Sequence, residues 1–267
     1  RSTQGVSSAA SDVYKRQIMT AINKHKGQTM SISDQVSTAL PMPELEQEHR
    51  IEAKVLQYQQ AGYAILQNAV PFDLLVELQA RFDQYTEKII RERGEEWRNY
   101  GRRFQIDELI GDDAFQKLSE LLSLHPLILC MARTVWQRNP KFRNTYGSVH
   151  FGGEASNQSW HNDARYPERE GVRFIPFLIR ASMLMDEVTE DMGPTALMPG
   201  SHGTRFSPPA WVHTADRQPR ELPGMLKFTG KAGDILLNDV SIWHANTPNL
   251  SCRARKLVWL LWEPGLK

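Results

Sequence analysis

The chain has 267 residues, 40% of them hydrophobic, with a formal net charge of +1 from 32 basic and 31 acidic residues. That balance supplies no global field toward nucleic acid or a membrane surface, and no apolar run approaches the ~20 residues of a membrane span. Two cysteines, Cys130 and Cys252, form no C-x-x-C pair. Neither a zinc ribbon nor a redox motif is encoded, and a disulfide framework is not expected, which favours a reducing cytoplasm.

Residues Ser8 to Gln17 (SAASDVYKRQ) read like a translated sequencing adapter and are set aside, with Met19 and Met30 as candidate starts. The first thirty residues hold no continuous apolar segment, so no secretory signal is expected. Residues 1–43 are expected to be a disordered arm. Residues 44–267 are expected to be a single domain, helical to about residue 140 and β-rich after it.

Glu44 to Gln60 is rich in Glu, Gln, Lys and Leu and predicts a helix ending at Gly62. Tyr63 to Val70 predicts a short strand. Pro71 opens a second helix, in which Leu75, Leu78, Phe82, Tyr85 and Ile89 recur on one face of a 3.6-residue period until Gly94. A third helix is expected from Asp113 to Trp136, bent at Pro126. From Lys141 the texture changes to β-branched and aromatic runs punctuated by Gly, Pro and Asn. Candidate strands are Phe142–Phe151, Phe174–Val188, Thr195–Met198, Asp234–Asn238 and Lys256–Trp262. Helices followed by short strands indicate a β-sandwich or small barrel with helices packed outside.

Three pieces of sequence carry chemistry. In Trp160-His161-Asn162-Asp163, the histidine and aspartate are two apart, so an extended segment points both to one side. His244 follows 81 residues after Asp163. Two imidazoles and a carboxylate on one face leave coordination positions open, as in the facial triad of non-haem iron(II) oxygenases. Eleven residues after His244 stands Arg255. A keto-acid cosubstrate has a far carboxylate that needs a partner, and a guanidinium fork pairs with it bidentately. Arg253 has the same strand parity and is its rival; Lys256 has the wrong parity relative to Arg255. Each signal is weak alone, since an H-x-D triplet arises often by chance; order and context give them weight.

From about Tyr146 to the end, the chain resembles the phytanoyl-CoA dioxygenase family of iron(II)- and 2-oxoglutarate-dependent oxygenases. The residues that carry the resemblance are the WHND segment, the stretch from Asp191 to His202 (DMGPTALMPGSH), Ala232-Gly233-Asp234-Ile235-Leu236, and Asn249-x-Ser251-x-x-x-Arg255. The resemblance implies a mainly β fold with flanking helices, a double-stranded β-helix or cupin-like jelly roll. It implies Fe(II) held by His161, Asp163 and His244, with 2-oxoglutarate as cosubstrate and O2 as oxidant. It selects Arg255 over Arg253 and puts Asn246 and Ser182 beside the cosubstrate. Relatives that halogenate lack the carboxylate ligand; Asp163 is present, so hydroxylation of a small-molecule substrate, with release of succinate and CO2, is the expected outcome. Desaturation, ring closure and epoxidation stay open, because substrate placement decides among them.

Other residues read more plainly. His202 is expected to cap a loop. Trp160 and Trp243 flank two ligands and either exclude water or simply pack. His150 precedes the H-x-D and is a candidate for facing the pocket. Basic stretches at Arg91–Phe104 and Ala164–Arg180, the latter with Arg165, Arg169, Arg173 and Arg180, are candidates for substrate loops. Their interspersed glutamates favour a solvated surface instead. Two rival functions remain: a cupin-like metalloenzyme that does not use 2-oxoglutarate, and a non-catalytic jelly-roll binding protein. The sequence names neither the prime substrate nor the oligomeric state.

Overall fold

The computed structural model describes residues 44–94, 109–155, 158–163, 178–204 and 206–266. The expected arm at 1–43 and the basic segments at 95–104 and 164–177 lie outside the described residues.

The helices among the described residues are α1 (Glu44–Ala61), α2 (Phe72–Arg93), α3 (Asp113–Ser123) and α4 (Pro126–Trp136). The face expected on α2 packs inward, with Leu78, Phe82 and Ile89 buried and Leu75 and Tyr85 half-buried against them. The single helix expected from Asp113 to Trp136 is instead two, meeting at 62°. Pro126 has no N–H to continue a helix, and His125 caps the new one by accepting from the Leu127 N–H at 3.2 Å. Cys130 is buried in α4, whereas Cys252 is exposed. Among the described residues no single helix is long and apolar enough to cross a membrane.

The strands are β1 (Tyr63–Leu66), β2 (Pro140–His150), β3 (Ile179–Leu184), β4 (Thr195–Leu197), β5 (Leu226–Phe228), β6 (Ile235–Asp239), β7 (His244–Asn246) and β8 (Arg255–Pro264). All pairings are antiparallel. A major sheet runs β1-β6-β3-β8-β2 and a minor sheet β5-β4-β7. This is the expected jelly roll. Strands β5 and β7, three residues each, were not anticipated.

Alternation along the major sheet sorts its two faces. Ile179, Ala181 and Met183 of β3 and Val258, Leu260 and Trp262 of β8 pack into the core shared with the helices. Leu184, Leu257 and Trp259 point the other way, into a second apolar cluster with Leu197 and Phe228 of the minor sheet. Arg180, Ser182 and Arg255 share parity with that second set, so they stand on the barrel's inner face.

Candidate active site

His161 and His244 meet as an isolated antiparallel bridge. Each backbone N–H donates to the other's carbonyl at 2.9 Å, and the imidazole centroids lie 4.1 Å apart. The Asp163 N–H donates to Val240 O at 2.9 Å, which keeps the segment extended and brings Asp163 to the same side as His161. One ligand atom from each of His161, Asp163 and His244 lies within 4.8 Å of the other two.

Both rings are turned by backbone carbonyls. His161 Nδ1 bonds Ser159 O and His244 Nδ1 bonds Ile242 O, each at 2.8 Å. With Nδ1 acting as donor, each Nε2 presents its lone pair to the space between them. His161 Nε2 is buried and has no hydrogen-bond partner, as a nitrogen reserved for a metal would be. Burial, with the neighbouring His244, pulls the His161 pKa down to about 4, and burial with the Arg180 charge lowers that of His244. Both imidazoles are therefore neutral, ligand-competent bases at neutral pH. Burial opposes ionisation of Asp163, but its contact with His244 and the Arg180 charge outweigh it and hold the carboxyl well below the ordinary range.

Arg180 is the residue that sequence reasoning misjudged. Read as part of a solvated basic stretch, it is instead 8% exposed. Its Nη1 donates to Asp163 Oδ2 at 2.7 Å, Nη2 to His244 Nε2 at 3.0 Å and Nε to Asn238 Oδ1 at 3.3 Å. Its parity with Ser182 on β3 was the available signal. Ser182 itself is buried on the same face, in register with Leu236 and Trp259.

Further along the barrel Arg255 is 1% exposed. Its Nη1 donates to Gly193 O and, at 3.5 Å, to Thr195 Oγ1; Nη2 donates to Asn246 Oδ1 at 3.1 Å. Those acceptors are all neutral, and Nε has no partner. Burial lowers the Arg255 pKa to about 10, which leaves it cationic at neutral pH. Arg253 is exposed, lies in the turn before β8 and donates to Glu187 O at 3.3 Å, so strand parity does not extend to it. His150 is fully buried, in register opposite Arg255. Burial first, then the Arg255 charge, lowers its pKa to about 4.

The flanking aromatic residues are anchored. Trp160 Nε1 donates to Arg220 O at 2.8 Å, and Trp243 Nε1 to Phe206 O at 2.7 Å. Asn162 donates to the same Phe206 carbonyl at 3.2 Å, which ties that loop beside both histidines. His202 bonds Gln59 O through Nε2 at 3.1 Å, away from the triad, as a loop-to-helix tie.

A jelly roll with these residues inside it is the frame of a non-haem iron(II)- and 2-oxoglutarate-dependent oxygenase. The family model described as phytanoyl-CoA dioxygenase (PhyH) matches residues 58–257, and the chain belongs to that family. Among solved structures, HygX from Streptomyces hygroscopicus with nickel and 2-oxoglutarate bound is 14% identical, with a TM-score of 0.57 over 80% of this chain and 87% of that one. The epimerase SnoN, in complex with Fe3+, alpha ketoglutarate and nogalamycin RO, is also 14% identical, with a TM-score of 0.57 over 81% and 84%. AviO1 from Streptomyces viridochromogenes Tue57 is 18% identical, with a TM-score of 0.53 over 79% and 94%. Likeness at this identity establishes the shared fold. Among curated protein sequences none matches the chain.

Proposed function

We propose that His161, Asp163 and His244 hold the iron(II), that Arg255 takes the far carboxylate of 2-oxoglutarate with Asn246 and Ser182 beside the cosubstrate, and that the enzyme hydroxylates a small molecule. One oxygen atom of O2 enters a substrate C–H bond as hydroxyl; the other enters succinate as 2-oxoglutarate loses CO2. The observation that carries the cosubstrate assignment is Arg255. It is a buried cation whose hydrogen bonds go to neutral oxygens and whose Nε is unpartnered, and a buried charge is stable only when an anion completes it.

When bound, the iron supplies the redox centre at which dioxygen oxidises cosubstrate and substrate. The chain's own residues do the rest. The carbonyls of Ser159 and Ile242 fix the tautomers that present both Nε2 atoms. Arg180 orients Asp163, and Trp160 and Trp243 are anchored beside the two histidines in the chain. A small-molecule substrate is in keeping with HygX, whose structure has also been determined with hygromycin B bound.

The test is oxygen uptake and succinate release by iron-loaded protein, with 2-oxoglutarate present or withheld, across fractionated metabolite pools. Succinate formation that needs iron and 2-oxoglutarate and rises with a pool component supports the assignment. Metal-dependent turnover indifferent to 2-oxoglutarate would favour the cupin-like alternative; metal binding without turnover in any pool would favour the binding protein.

A further inference from the structure

Among the described residues the barrel interior holds two long cations, Arg180 and Arg255, and the proposed function uses only one for an anion. Arg180 and Arg255 both rise from the major sheet and cross to the minor one. Arg180 reaches His244 and Arg255 reaches Asn246. Those residues are two apart on β7, on one face, and so about 7 Å apart along the strand. A five-carbon keto diacid carries carboxylates at the two ends of four carbon–carbon bonds, roughly 5 Å when extended. Arg180 therefore stands at the metal end and Arg255 farther along the barrel, the order in which a keto diacid chelating the metal presents its two carboxylates.

The chemistry at the Arg180 end is specific. Its Nη2 lies 3.0 Å from His244 Nε2, the atom turned toward the metal. A donor that close to a ligating atom reaches groups that share the metal with it. Charge points the same way. Iron(II) with two neutral imidazoles and the Asp163 carboxylate carries one net positive charge, and Arg180 adds a second at its edge. With Arg255 the site carries three positive charges, which favours a dianion over a neutral ligand. Asn238 and the Trp259 ring, whose centroid is 5.9 Å from the guanidinium carbon, steady the cation from behind.

We infer that Arg180 and Arg255 form a two-ended clamp, in which Arg180 keeps Asp163 oriented and hydrogen-bonds the metal-side carboxylate of 2-oxoglutarate. The clamp rests on the proposed function.

Calorimetric titration of nickel(II)-loaded protein with oxalate and with 2-oxoglutarate separates the two ends. Oxalate mimics only the keto-acid end; 2-oxoglutarate engages both. Arg180→Gln is expected to weaken both ligands by about ten- to a hundredfold, with partial recovery in Arg180→Lys. Arg255→Gln is expected to weaken 2-oxoglutarate to a similar degree and to leave oxalate at wild-type affinity. Nickel(II) titration without either acid checks the metal site in each variant. Should Arg180→Gln lose nickel, Arg180→Lys decides: nickel binding with undiminished oxalate affinity would overturn the clamp. Undiminished affinity of folded, nickel-loaded Arg180→Gln for both acids would do the same and reduce Arg180 to a support for Asp163. Wild-type protein that binds nickel and oxalate but not 2-oxoglutarate would overturn the cosubstrate assignment itself, and the clamp with it.

Discussion

Arg180 Nη1 donates to Asp163 Oδ2 at 2.7 Å, so a cation on the major sheet holds a carboxylate on the H-x-D segment across the barrel. Asp163 has two oxygens to dispose of, and Oδ1 faces His161 Nε2 at 3.7 Å. The pair orients the carboxylate. It also creates a liability, because removing the aspartate strands a buried guanidinium.

Asp163→Ala should therefore destabilise the metal-free protein by about 2 kcal/mol, a figure kept modest because the aspartate is partly solvated. Adding Arg180→Met should recover part of that loss. Urea unfolding of the two single variants and the double variant measures the coupling; strictly additive effects would mean that the pair contributes nothing to stability.

Metal affinity should separate the three ligands. His161→Ala and His244→Ala should abolish iron(II) binding, and Asp163→Ala should weaken it strongly, since each removes one donor from a three-donor set. Anaerobic iron(II) titration measures this. Retention of near-normal affinity in either histidine variant would remove that residue from the metal site.

The two candidate arginines should differ sharply. Arg255→Ala should raise the 2-oxoglutarate requirement about ten- to a hundredfold at saturating iron, whereas Arg253→Ala, exposed and bonded only to a loop carbonyl, should change it little. A larger loss from Arg253→Ala in the same cosubstrate titration would reverse the assignment.

Gly193 offers a backbone test of the same pocket. Its φ is +68, its carbonyl accepts from Arg255, and an added Cβ would lie 2.7 Å from Thr247 O and 2.8 Å from His150 Nδ1. Gly193→Ala should shift the carbonyl, lower the melting temperature and weaken 2-oxoglutarate binding while sparing iron. Loss of iron affinity with cosubstrate binding intact would contradict this placement.

His150 gives a pH signature. Its folded pKa of about 4 lies below the ~6.5 of a free imidazole. Between these values the unfolded chain binds a proton that the folded chain refuses. Stability is thus unaffected above about pH 6.5 and falls as the pH drops toward 4, by about 1.4 kcal/mol per unit from this group. His161 and His244 add to the same acid loss. His150→Gln should flatten part of the decline, read by denaturant unfolding at pH 7 and pH 5; an unchanged decline would mean that His150 charges freely in the folded state.

The local periods and stops were written in the chain. The α2 face, the strand texture after Lys141 and the H-x-D parity follow from 3.6- and 2-residue repeats and from glycine and proline, which act within a few residues; the spacing from His244 to Arg255 took its meaning from the family resemblance. Strand β7, which carries His244 and Asn246, escaped. Arg180 escaped because charge in a sequence reads as solvent-facing unless its partner is known, and that partner is 17 positions away in the chain.

What the sequence offered by itself is a set of candidate donors and their order: two imidazoles, a carboxylate and an arginine. Tertiary structure decided the rest. It buried Arg255 and left Arg253 exposed in a turn. It turned both imidazoles through carbonyls that any residue at Ser159 or Ile242 would supply, and it brought Arg180 to Asp163. The Arg180 contact joins the major sheet to the H-x-D segment, and only the closure of the barrel sets which side chains face each other across it.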